Sequence, residues 1–435
     1  MRKFVGIVLL SLAVLQLGVR GWQRVRTDMP MWDFTSVYAA SRTWVNGGDP
    51  YDLSRVVQTW HDTKFLSDRS VSTWAVVYPP NSLAMLAPLA LMPPLAAMLV
   101  WLGLMVGLLA LQFAALVDLA QWRWRDSRTL ILMGAALASA PLQFGLLSGQ
   151  LSLPAISLCV LAFWCVNRSR DRLAGVLLGL ACSIKPQMAA PFVAYYLFVR
   201  RWRVSAYAVL VGGAVGLAAL VGMHLAHVDW FTGWTHGIAA TGQVGAVNDY
   251  GWAGEFRDEI MDLKLLLISF VHDPRSLRLV ILGTTVALLA WYGQSISRIH
   301  LCSSRDELLV LAGLSAIAML PVYHRVYDAT LLMLTLAWAL AELEGAHRKT
   351  AVLMLAAMAL FLVPFDLFQS VANHSPRLAE VFKSEWWQSI IAPHYAVALL
   401  STALASAYAL SRLAVRPARF SMFGPVEEED LALAR

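Results

Sequence analysis

The clearest candidate for a catalytic side chain in this sequence is Asp33. It lies between Trp32 and Phe34, directly after an apolar N-terminal segment that is suited to lipid. A carboxylate there could act as a general base on a hydroxyl nucleophile. The alternative is that Asp33 only caps the helix predicted for FTSVYAASRTWVNG, because Asp is a favoured N-cap residue. We predict the catalytic role.

Basic and amide side chains from three distant segments could complete such a site. They are Lys185, His324 and Arg325 as charged groups, and Gln150 as a neutral donor. Basic side chains hold phosphate groups and offset the charge on a phosphate that leaves. Together with a carboxylate, they would suit the transfer of a group from a lipid-linked phosphate. For a single basic residue near lipid, simple snorkelling is the common alternative.

Further polar residues near these groups are predicted to contact the substrate. They are Tyr38, Tyr78, Gln187, Tyr327 and Asp328. The amides of Gln150 and Gln187 suit sugar hydroxyls or phosphate oxygens, with capping of helix ends as the alternative. His224 and His227 lack a carboxylate that would complete a metal triad, so we expect no metal and no other cofactor.

The composition indicates a membrane protein. Of 435 residues, 58% are hydrophobic and 14% are charged, and the mean hydropathy is +0.60. A soluble chain of this length could not bury so much apolar surface. The net charge of +6 comes mostly from loop arginines, which report topology and not a nucleic-acid partner. We predict an all-α, polytopic helical bundle in the inner (plasma) membrane.

The positions of the basic clusters predict the topology. Short loops rich in Arg and Lys stay cytoplasmic, and placing all of them inside predicts about twelve crossings with both termini cytoplasmic. Beyond the first helix and residues 79–120, the apolar runs fall near 130–147, 150–166, 173–184, 187–200, 204–226, 276–296, 306–322, 326–341, 350–366 and 392–411. These runs form one predicted domain, residues 1–412, followed by a disordered cytoplasmic tail, residues 413–435.

The same topology places every candidate site residue on the outer face. Two long outer loops are predicted, residues 24–77 and 227–275. The first should form two amphipathic interfacial helices around Gly47-Gly48-Asp49-Pro50, with Asp49 or Asp52 capping the second. The second contains a mixed-charge run, Asp249, Glu255, Arg257, Asp258, Glu259 and Asp262, which is typical of a solvated face but could cover a cavity as a lid.

The order of these motifs resembles glycosyltransferase family 87. The shared elements are Asp33-Phe34-x-x-x-Tyr38-x-Ala40, Gly47-Gly48-Asp49-Pro50-Tyr51, Tyr78-Pro79-Pro80, Ser148-Gly149-Gln150, LAGVLLGLACSIKPQ and His324-Arg325-x-Tyr327-Asp328. The resemblance extends from about residue 5 to residue 340. One segment, TGQVGAVNDYGWAGEFRDE, departs from the Asn-Gln-Ser-like segment that the family often carries after the third outer loop, which leaves the acceptor and the sugar open.

The resemblance implies a fold of the GT-C type and an active site on the periplasmic or extracellular side. It implies an inverting enzyme whose general base is Asp33 and whose donor is a polyprenyl monophosphate sugar, most commonly mannose in this family. The conserved C-terminal His of the mannosyltransferases would correspond to His324. The acceptor would be a hydroxyl on a lipid or a glycan.

Two other functional classes stay open at this point. A transporter of lipid-linked sugars would carry charges at mid-membrane and show a repeat between its halves. An O-antigen ligase or polymerase would share lipid-linked substrates but typically uses paired arginines in a large outer loop. In the loop of residues 227–275, only Arg257 and Arg275 are arginines.

Overall fold

The computed structural model describes residues 2–27, 29–65, 75–252, 254, 256–299, 303–364 and 366–413. The predicted cytoplasmic tail lies outside the described residues, apart from its first residue. Part of the first predicted outer loop, residues 66–74, and Glu255 of the mixed-charge run also lie outside them.

The described chain is helical throughout. Its α-helices are α1 (Arg2–Arg26), α2 (Trp32–Val45), α3 (Leu53–His61), α4 (Pro80–Ala90), α5 (Pro94–Leu119), α6 (Ser127–Ala138), α7 (Ala140–Ser148), α8 (Ser152–Asn167), α9 (Asp171–Ile184), α10 (Pro186–Phe198), α11 (Trp202–Leu225), α12 (Trp230–Thr241), α13 (Leu263–Leu267), α14 (Pro274–Ser297), α15 (Ser304–Met319), α16 (Met333–Glu342), α17 (Arg348–Ala359), α18 (Asp366–His374), α19 (Pro376–Lys383) and α20 (His394–Leu413). Short 3-10 segments cover Arg257–Glu259, Val326–Leu332 and Leu360–Leu362, and a π-helical turn covers Trp387–Ile391.

Several helices are long and apolar enough to cross a bilayer. Within the described residues these are Lys3–Arg26, Pro94–Leu119, Trp202–Leu225, Pro274–Ser297 and Trp387–Leu413, and a sixth span results if α6 and α7, which meet at 58°, are taken as one. The all-α membrane class is therefore confirmed. The count of about twelve crossings stays a prediction, because most of the other apolar helices are shorter than the roughly 20 residues of a perpendicular span.

Proline marks the breaks between the shorter helices. Pro93 and Pro94 separate α4 from α5, which is a full-length apolar helix. Pro186 opens α10 directly after Lys185, whose extended backbone (φ −149°, ψ 89°) ends α9. A residue before proline is driven out of the helical region, so this sequence interrupts the helix at Lys185 and presents its side chain at a helix end.

Hydrogen bonds from α4 hold the end of α9 in place. The Asn81 side-chain amide donates to the carbonyl of Ser183 at 2.9 Å, and the Ser82 hydroxyl donates to that of Ile184 at 2.8 Å. The last carbonyls of a helix have no partner within the helix. Their pairing with α4 fixes the position of Lys185 relative to the first loop.

The first loop contains the two predicted helices, α2 and α3, with two differences from the prediction. Most of α2 is buried in the bundle, so it does not lie at an interface along its length. Asp33 is in the first turn of α2 and not at its N-cap position, which is Met31 in a left-handed conformation with φ 51°. Asp52 caps α3 by accepting from the backbone N–H groups of Ser54 and Arg55.

Candidate active site

A cavity of about 110 Å³ lies where α2, the segment before α4, the turn after α7, the end of α12 and the segment before α16 converge. Its lining residues are Trp32, Asp33, Ser36, Val37, Leu53, Val56, Ala75, Val76, Val77, Tyr78, Gln150, Thr241, Val247, Asn248, Tyr323, Arg325 and Tyr327. Five of the predicted site residues are among them. The chain thus brings together groups that are almost 300 positions apart in sequence.

A close contact between α2 and the turn after α7 places Gln150 in the same cavity as Asp33. Gly149 ends α7 with φ +68°, a conformation that glycine adopts without strain. A Cβ at Gly149 would lie 2.7 Å from the Cβ of Phe34. The Trp101 indole donates to the carbonyl of Gly149 at 2.9 Å and fixes the turn from the other side. Only glycine allows this approach.

Burial raises the pKa of the Asp33 carboxyl above its ordinary value. The Ser148 hydroxyl beside it and the positive charges of Arg325, Arg24 and Lys185 oppose this shift and lower the pKa. A general base works best when its pKa lies closer to the working pH than that of a solvated Asp. The surroundings of Asp33 therefore fit the role predicted for it, since burial makes the carboxylate a stronger base and the neighbouring positive charges limit the rise of its pKa.

Tyr78 and Gln150 form a hydrogen-bonded pair on the cavity wall. The Tyr78 hydroxyl donates to Oε1 of Gln150 at 3.1 Å, and the Tyr51 hydroxyl donates to the Tyr78 carbonyl at 3.0 Å. The carboxamide nitrogen of a glutamine remains a donor when its oxygen accepts. This pair therefore offers both a donor and an acceptor to a polar ligand.

His324 and Arg325 are neighbours in sequence but serve different surroundings. Arg325 has an extended backbone (φ −107°, ψ 164°), and successive side chains of an extended chain point to opposite sides. Arg325 lines the cavity, whereas the His324 side chain is fully buried and contacts Asp328. Both residues are predicted to bind the donor phosphate, but in this structure only the Arg325 side chain of the two lines the cavity.

The Arg325 guanidinium is buried and only partly paired. Its Nη2 lies 3.0 Å from Oε2 of Glu259, and side-chain exposure is 8% for Arg325 and 4% for Glu259. Within the described residues, Nε and Nη2 of Arg325 have no hydrogen-bond partner that satisfies the geometric criteria. A guanidinium carries five N–H donors and suits bidentate binding of phosphate. Arg325 therefore has free capacity for an anion in the cavity.

Lys185 belongs to a closed cluster beside the cavity. Its Nζ lies 2.6 Å from Oδ1 of Asp328 and donates to the Ser152 hydroxyl at 2.7 Å. The same Asp328 oxygen accepts from Ser152 at 2.6 Å, and the other oxygen lies 2.8 Å from Nδ1 of His324. Lys185 and His324 are thus within reach of one another through Asp328, but both already have an anionic partner.

Tyr327 lies between the cavity and the closed cluster of Lys185, Ser152, His324 and Asp328. It lines the cavity, the Lys185 ammonium lies 4.8 Å from its ring centroid, and its ring stacks on Phe144 at 5.9 Å. Cation–π contact of this kind attracts the ammonium to the ring face. Tyr327 therefore separates the ion pair of Lys185 from the space next to Asp33.

Two predicted substrate-binding residues lie elsewhere. The Tyr38 hydroxyl donates to the Met92 carbonyl at 2.7 Å and accepts from Arg42 at 2.8 Å, so it joins α2 to the end of α4. Gln187 is exposed on α10. Neither lines the cavity. Their substrate contacts stay predictions that this geometry does not favour.

The sequence patterns give no role in the site to Glu259, Ser152 or Arg24. For Glu259 a signal is present, because it belongs to the mixed-charge run that could form a solvated face or a lid. Asp249, Arg257, Glu259 and Asp262 of that run are buried, and Thr241 and Asn248 just before it line the cavity. The lid alternative therefore fits this segment better than a solvated face.

The described residues contain no cluster of side chains suited to a metal ion. In the portion of the chain with described coordinates, three or more His, Cys, Asp or Glu residues do not meet in an arrangement that could hold a metal ion. The expectation that the chemistry uses no metal or cofactor stays a prediction.

Comparison with known proteins agrees with the resemblance drawn from the motifs. Residues 76–364, more than half of the chain, match glycosyltransferase family 87. An alpha-(1->3)-arabinofuranosyltransferase of Corynebacterium glutamicum is 28% identical over 174 residues, which cover 39% of this chain and 37% of that protein. The match therefore spans little more than a third of the relative's length. No solved structure matches the chain.

The matched range contains Tyr78, Gln150 and the His324-Arg325 segment but begins after Asp33. The proposed role of Asp33 therefore depends on its place in the cavity and on its electrostatic surroundings. Over the matched range, the helical membrane architecture and the ordered motifs lead to one conclusion. The chain belongs to glycosyltransferase family 87.

Proposed function

We propose that this membrane glycosyltransferase moves a sugar from a polyprenyl monophosphate donor to a hydroxyl of a lipid or glycan acceptor, with Asp33 as general base. The observation that carries the proposal is the presence of Asp33 and Arg325 on the wall of one cavity. One side chain can take a proton and the other can hold a phosphate. Transfer from a lipid-linked phosphate requires both in the same space.

The reaction balances with these two groups. Asp33 accepts the proton of the acceptor hydroxyl, and the oxygen forms a bond to the anomeric carbon of the donor sugar. The bond between that carbon and the phosphate oxygen breaks, and its electron pair leaves with the polyprenyl phosphate. Direct displacement inverts the anomeric configuration.

Arg325 is proposed to bind the donor phosphate and to offset the charge that builds on it. Its buried Nε has no partner among the described residues, and charge-assisted hydrogen bonds to phosphate are about twice as strong as neutral ones. Gln150 and Tyr78 are proposed to contact sugar hydroxyls or phosphate oxygens. Lys185 and His324, both predicted as phosphate ligands, are proposed to act through the cluster around Asp328.

The sugar is open between two candidates. The family resemblance implies mannose, which would make the enzyme a hexosyltransferase. The relative from Corynebacterium glutamicum transfers arabinofuranose according to its name, which would make the donor a pentofuranosyl phosphate. Because the first is a six-membered pyranose and the second a five-membered furanose, a donor panel separates them directly.

The active site is proposed to face the periplasm or the cell exterior, with both termini cytoplasmic. Arginine clusters lie at the N-terminal ends of α9 and α11, and Lys185 lies at the other end of α9. The clusters include Arg170, Arg172, Arg201 and Arg203. Arginine-rich short loops stay in the cytoplasm, which puts the Lys185 end of α9 outside. A lipid-linked donor flipped across the membrane would reach the cavity from that side.

The other two classes receive less support. A transporter has no need of a base with a raised pKa at one end of the bundle. An O-antigen ligase or polymerase would use paired outer-loop arginines, but Arg257 is buried and donates to the Tyr250 carbonyl and to Gln388. The family match also favours glycosyl transfer over transport.

A donor panel tests the proposal. The purified chain in proteoliposomes would be given radiolabelled polyprenyl monophosphate mannose or polyprenyl monophosphate arabinofuranose, with a lipid extract as the acceptor pool. We expect label transfer to a lipid or glycan from one donor and not from nucleotide-linked sugars. Transfer from a nucleotide sugar alone would contradict the proposal.

A further inference from the structure

A further carboxylate, that of Glu259, is buried next to the candidate active site and has no role in the chemistry described so far. It belongs to the 3-10 segment Arg257–Glu259 and pairs with Arg325 through Oε2 and Nη2 at 3.0 Å. A buried ion pair is costly to form from water. Its presence at the phosphate-binding arginine therefore calls for a functional explanation.

The segment around Glu259 contacts Arg325 through an aromatic ring, a carboxylate and the backbone. The Phe256 ring centroid lies 5.3 Å from the guanidinium carbon, and Ile260 forms an antiparallel bridge with Arg325. The backbone N–H of Met261 donates to the His324 carbonyl at 3.1 Å. Ring, carboxylate and backbone thus fix the side chain and the main chain of Arg325 together.

We propose that Glu259 is a positioning residue that directs Arg325 toward the cavity and sets how tightly the anionic donor and product bind. This inference rests on the proposed function, because it takes Arg325 as the phosphate ligand. Glu259 pairs with one arm of the guanidinium and leaves the remaining donors for phosphate. Its negative charge repels the bound phosphate and so favours release of the polyprenyl phosphate product.

The charges around Glu259 support a titratable effect on anion binding. The pKa of Glu259 is raised to about 7. Burial is the main cause, the charges of Asp33 and Asp258 add to it, and the charges of Arg325 and Arg24 oppose it. Protonation of Glu259 removes a negative charge beside Arg325, so anion affinity should increase as the pH falls through about 7. Asp33, Lys185 and His324 also lie near the cavity, and a Glu259 variant separates their titration from that of Glu259.

The test measures binding and does not depend on turnover. The probe is a short-chain isoprenyl methyl phosphodiester, whose single charge does not titrate between about pH 5 and pH 8. Its affinity for the full-length protein in detergent would be measured across this range for the wild type and for Glu259→Gln. Asp258→Asn is the matched control, because it neutralises the neighbouring acid, which the structure does not pair with Arg325.

We expect Glu259→Gln to bind the probe about tenfold more tightly at pH 8, as when one like charge leaves a buried anion site. Its affinity should change less with pH than that of the wild type, and Asp258→Asn should stay close to the wild type. In turnover, Glu259→Gln should lower the donor KM and strengthen inhibition by polyprenyl phosphate, which a purely structural role would not cause.

Equal affinity and equal pH dependence in the wild type and Glu259→Gln would overturn the inference, as would a wild type that does not bind the probe. If Glu259→Gln does not fold, the wild type alone decides: an affinity that does not rise between pH 8 and pH 6 overturns it. Probe binding with the expected pH dependence but without sugar transfer would overturn the proposed function alone.

Discussion

Two groups of charged side chains meet at residues 324–328, and they differ in which hydrogen-bond donors they leave unpaired. In the closed cluster, Asp328 takes partners on both oxygens from Lys185, Ser152 and His324. At the cavity, Arg325 has one carboxylate partner and a buried Nε without a hydrogen-bond acceptor in the described chain. In the first group both carboxylate oxygens of Asp328 are paired, and the buried Nε2 of His324 has no hydrogen-bond partner among the described residues. In the second group the unpaired donors belong to a guanidinium that lines the cavity.

This difference separates scaffold from binding site. Buried polar groups are normally satisfied, so an unsatisfied, cavity-facing arginine marks a place where a ligand completes the structure. A buried carboxylate that is paired on both oxygens holds segments together, as Asp328 does for α8, the end of α9 and the segment before α16. Sequence position alone assigns both groups to one phosphate site.

The largest expected effect is at Asp33. Asp33→Asn keeps the shape of the side chain but cannot accept a proton from the acceptor hydroxyl, so we expect kcat to fall by roughly 10²–10⁴-fold. Steady-state assays would measure this, with donor affinity near that of the wild type. Asp49→Asn is the matched control, because Asp49 lies in the same loop and accepts from the backbone N–H of Tyr51 at 2.9 Å, outside the cavity lining.

The pH profile gives a second readout of the same residue. Only the carboxylate form of Asp33 accepts a proton, so kcat/KM should fall as the pH drops through its pKa. Because burial raises that pKa, the acidic decline should begin at a higher pH than for a solvated aspartate. An acidic limb that persists unchanged in the residual activity of Asp33→Asn would belong to another group.

The closed cluster should respond in stability more than in chemistry. Asp328→Asn leaves Lys185 buried without a counter-charge, and breaking a buried pair in this way costs about 3–5 kcal/mol. Thermal unfolding of the purified protein would show this loss. The contrast between the two groups fails if Asp328→Asn keeps wild-type stability and instead raises the donor KM.

Arg325 should show the opposite pattern. Arg325→Gln removes the proposed phosphate ligand, and the loss of charge-assisted hydrogen bonds should lower kcat/KM for the donor by roughly 10–10²-fold. Because Glu259 then lacks its partner, Arg325→Gln combined with Glu259→Gln controls for stability. Donor affinity restored to the wild-type level in the double variant would argue against direct phosphate binding.

The smallest effect is expected at Gln187. It is exposed on α10 and does not line the cavity, so Gln187→Ala should change kcat/KM less than about twofold, as most surface substitutions do. Gln150→Ala is the comparison, since Gln150 lines the cavity and bonds to Tyr78. Equal losses in both variants would restore Gln187 to the predicted substrate site.

The sequence predicted well what depends on local pattern and on parity. Apolar runs located many of the helices and the break between residues 184 and 187. Loop charge predicted that Asp33, Gln150 and the segment at residues 323–328 share one face, and the cavity brings them together. These inferences need only helix length and the distribution of arginines.

Side-chain direction could not be predicted in the same way. Whether His324 or Arg325 enters the cavity depends on the backbone at one residue. The carboxylate partner of Arg325, Glu259, is more than 60 positions away in sequence, so no local pattern indicates it. Glu259 looked like part of a solvated run because burial by tertiary packing leaves no trace in composition. The helix α2 looked interfacial for the same reason.

The most direct test of the account is the stereochemistry of a complete turnover. One base and direct displacement predict that NMR of the reaction shows release of polyprenyl monophosphate and a product whose anomeric configuration is inverted relative to the donor sugar. A product with retained configuration, or phosphate release without a glycosylated acceptor, would contradict a mechanism in which Asp33 activates the acceptor and Arg325 holds the donor phosphate.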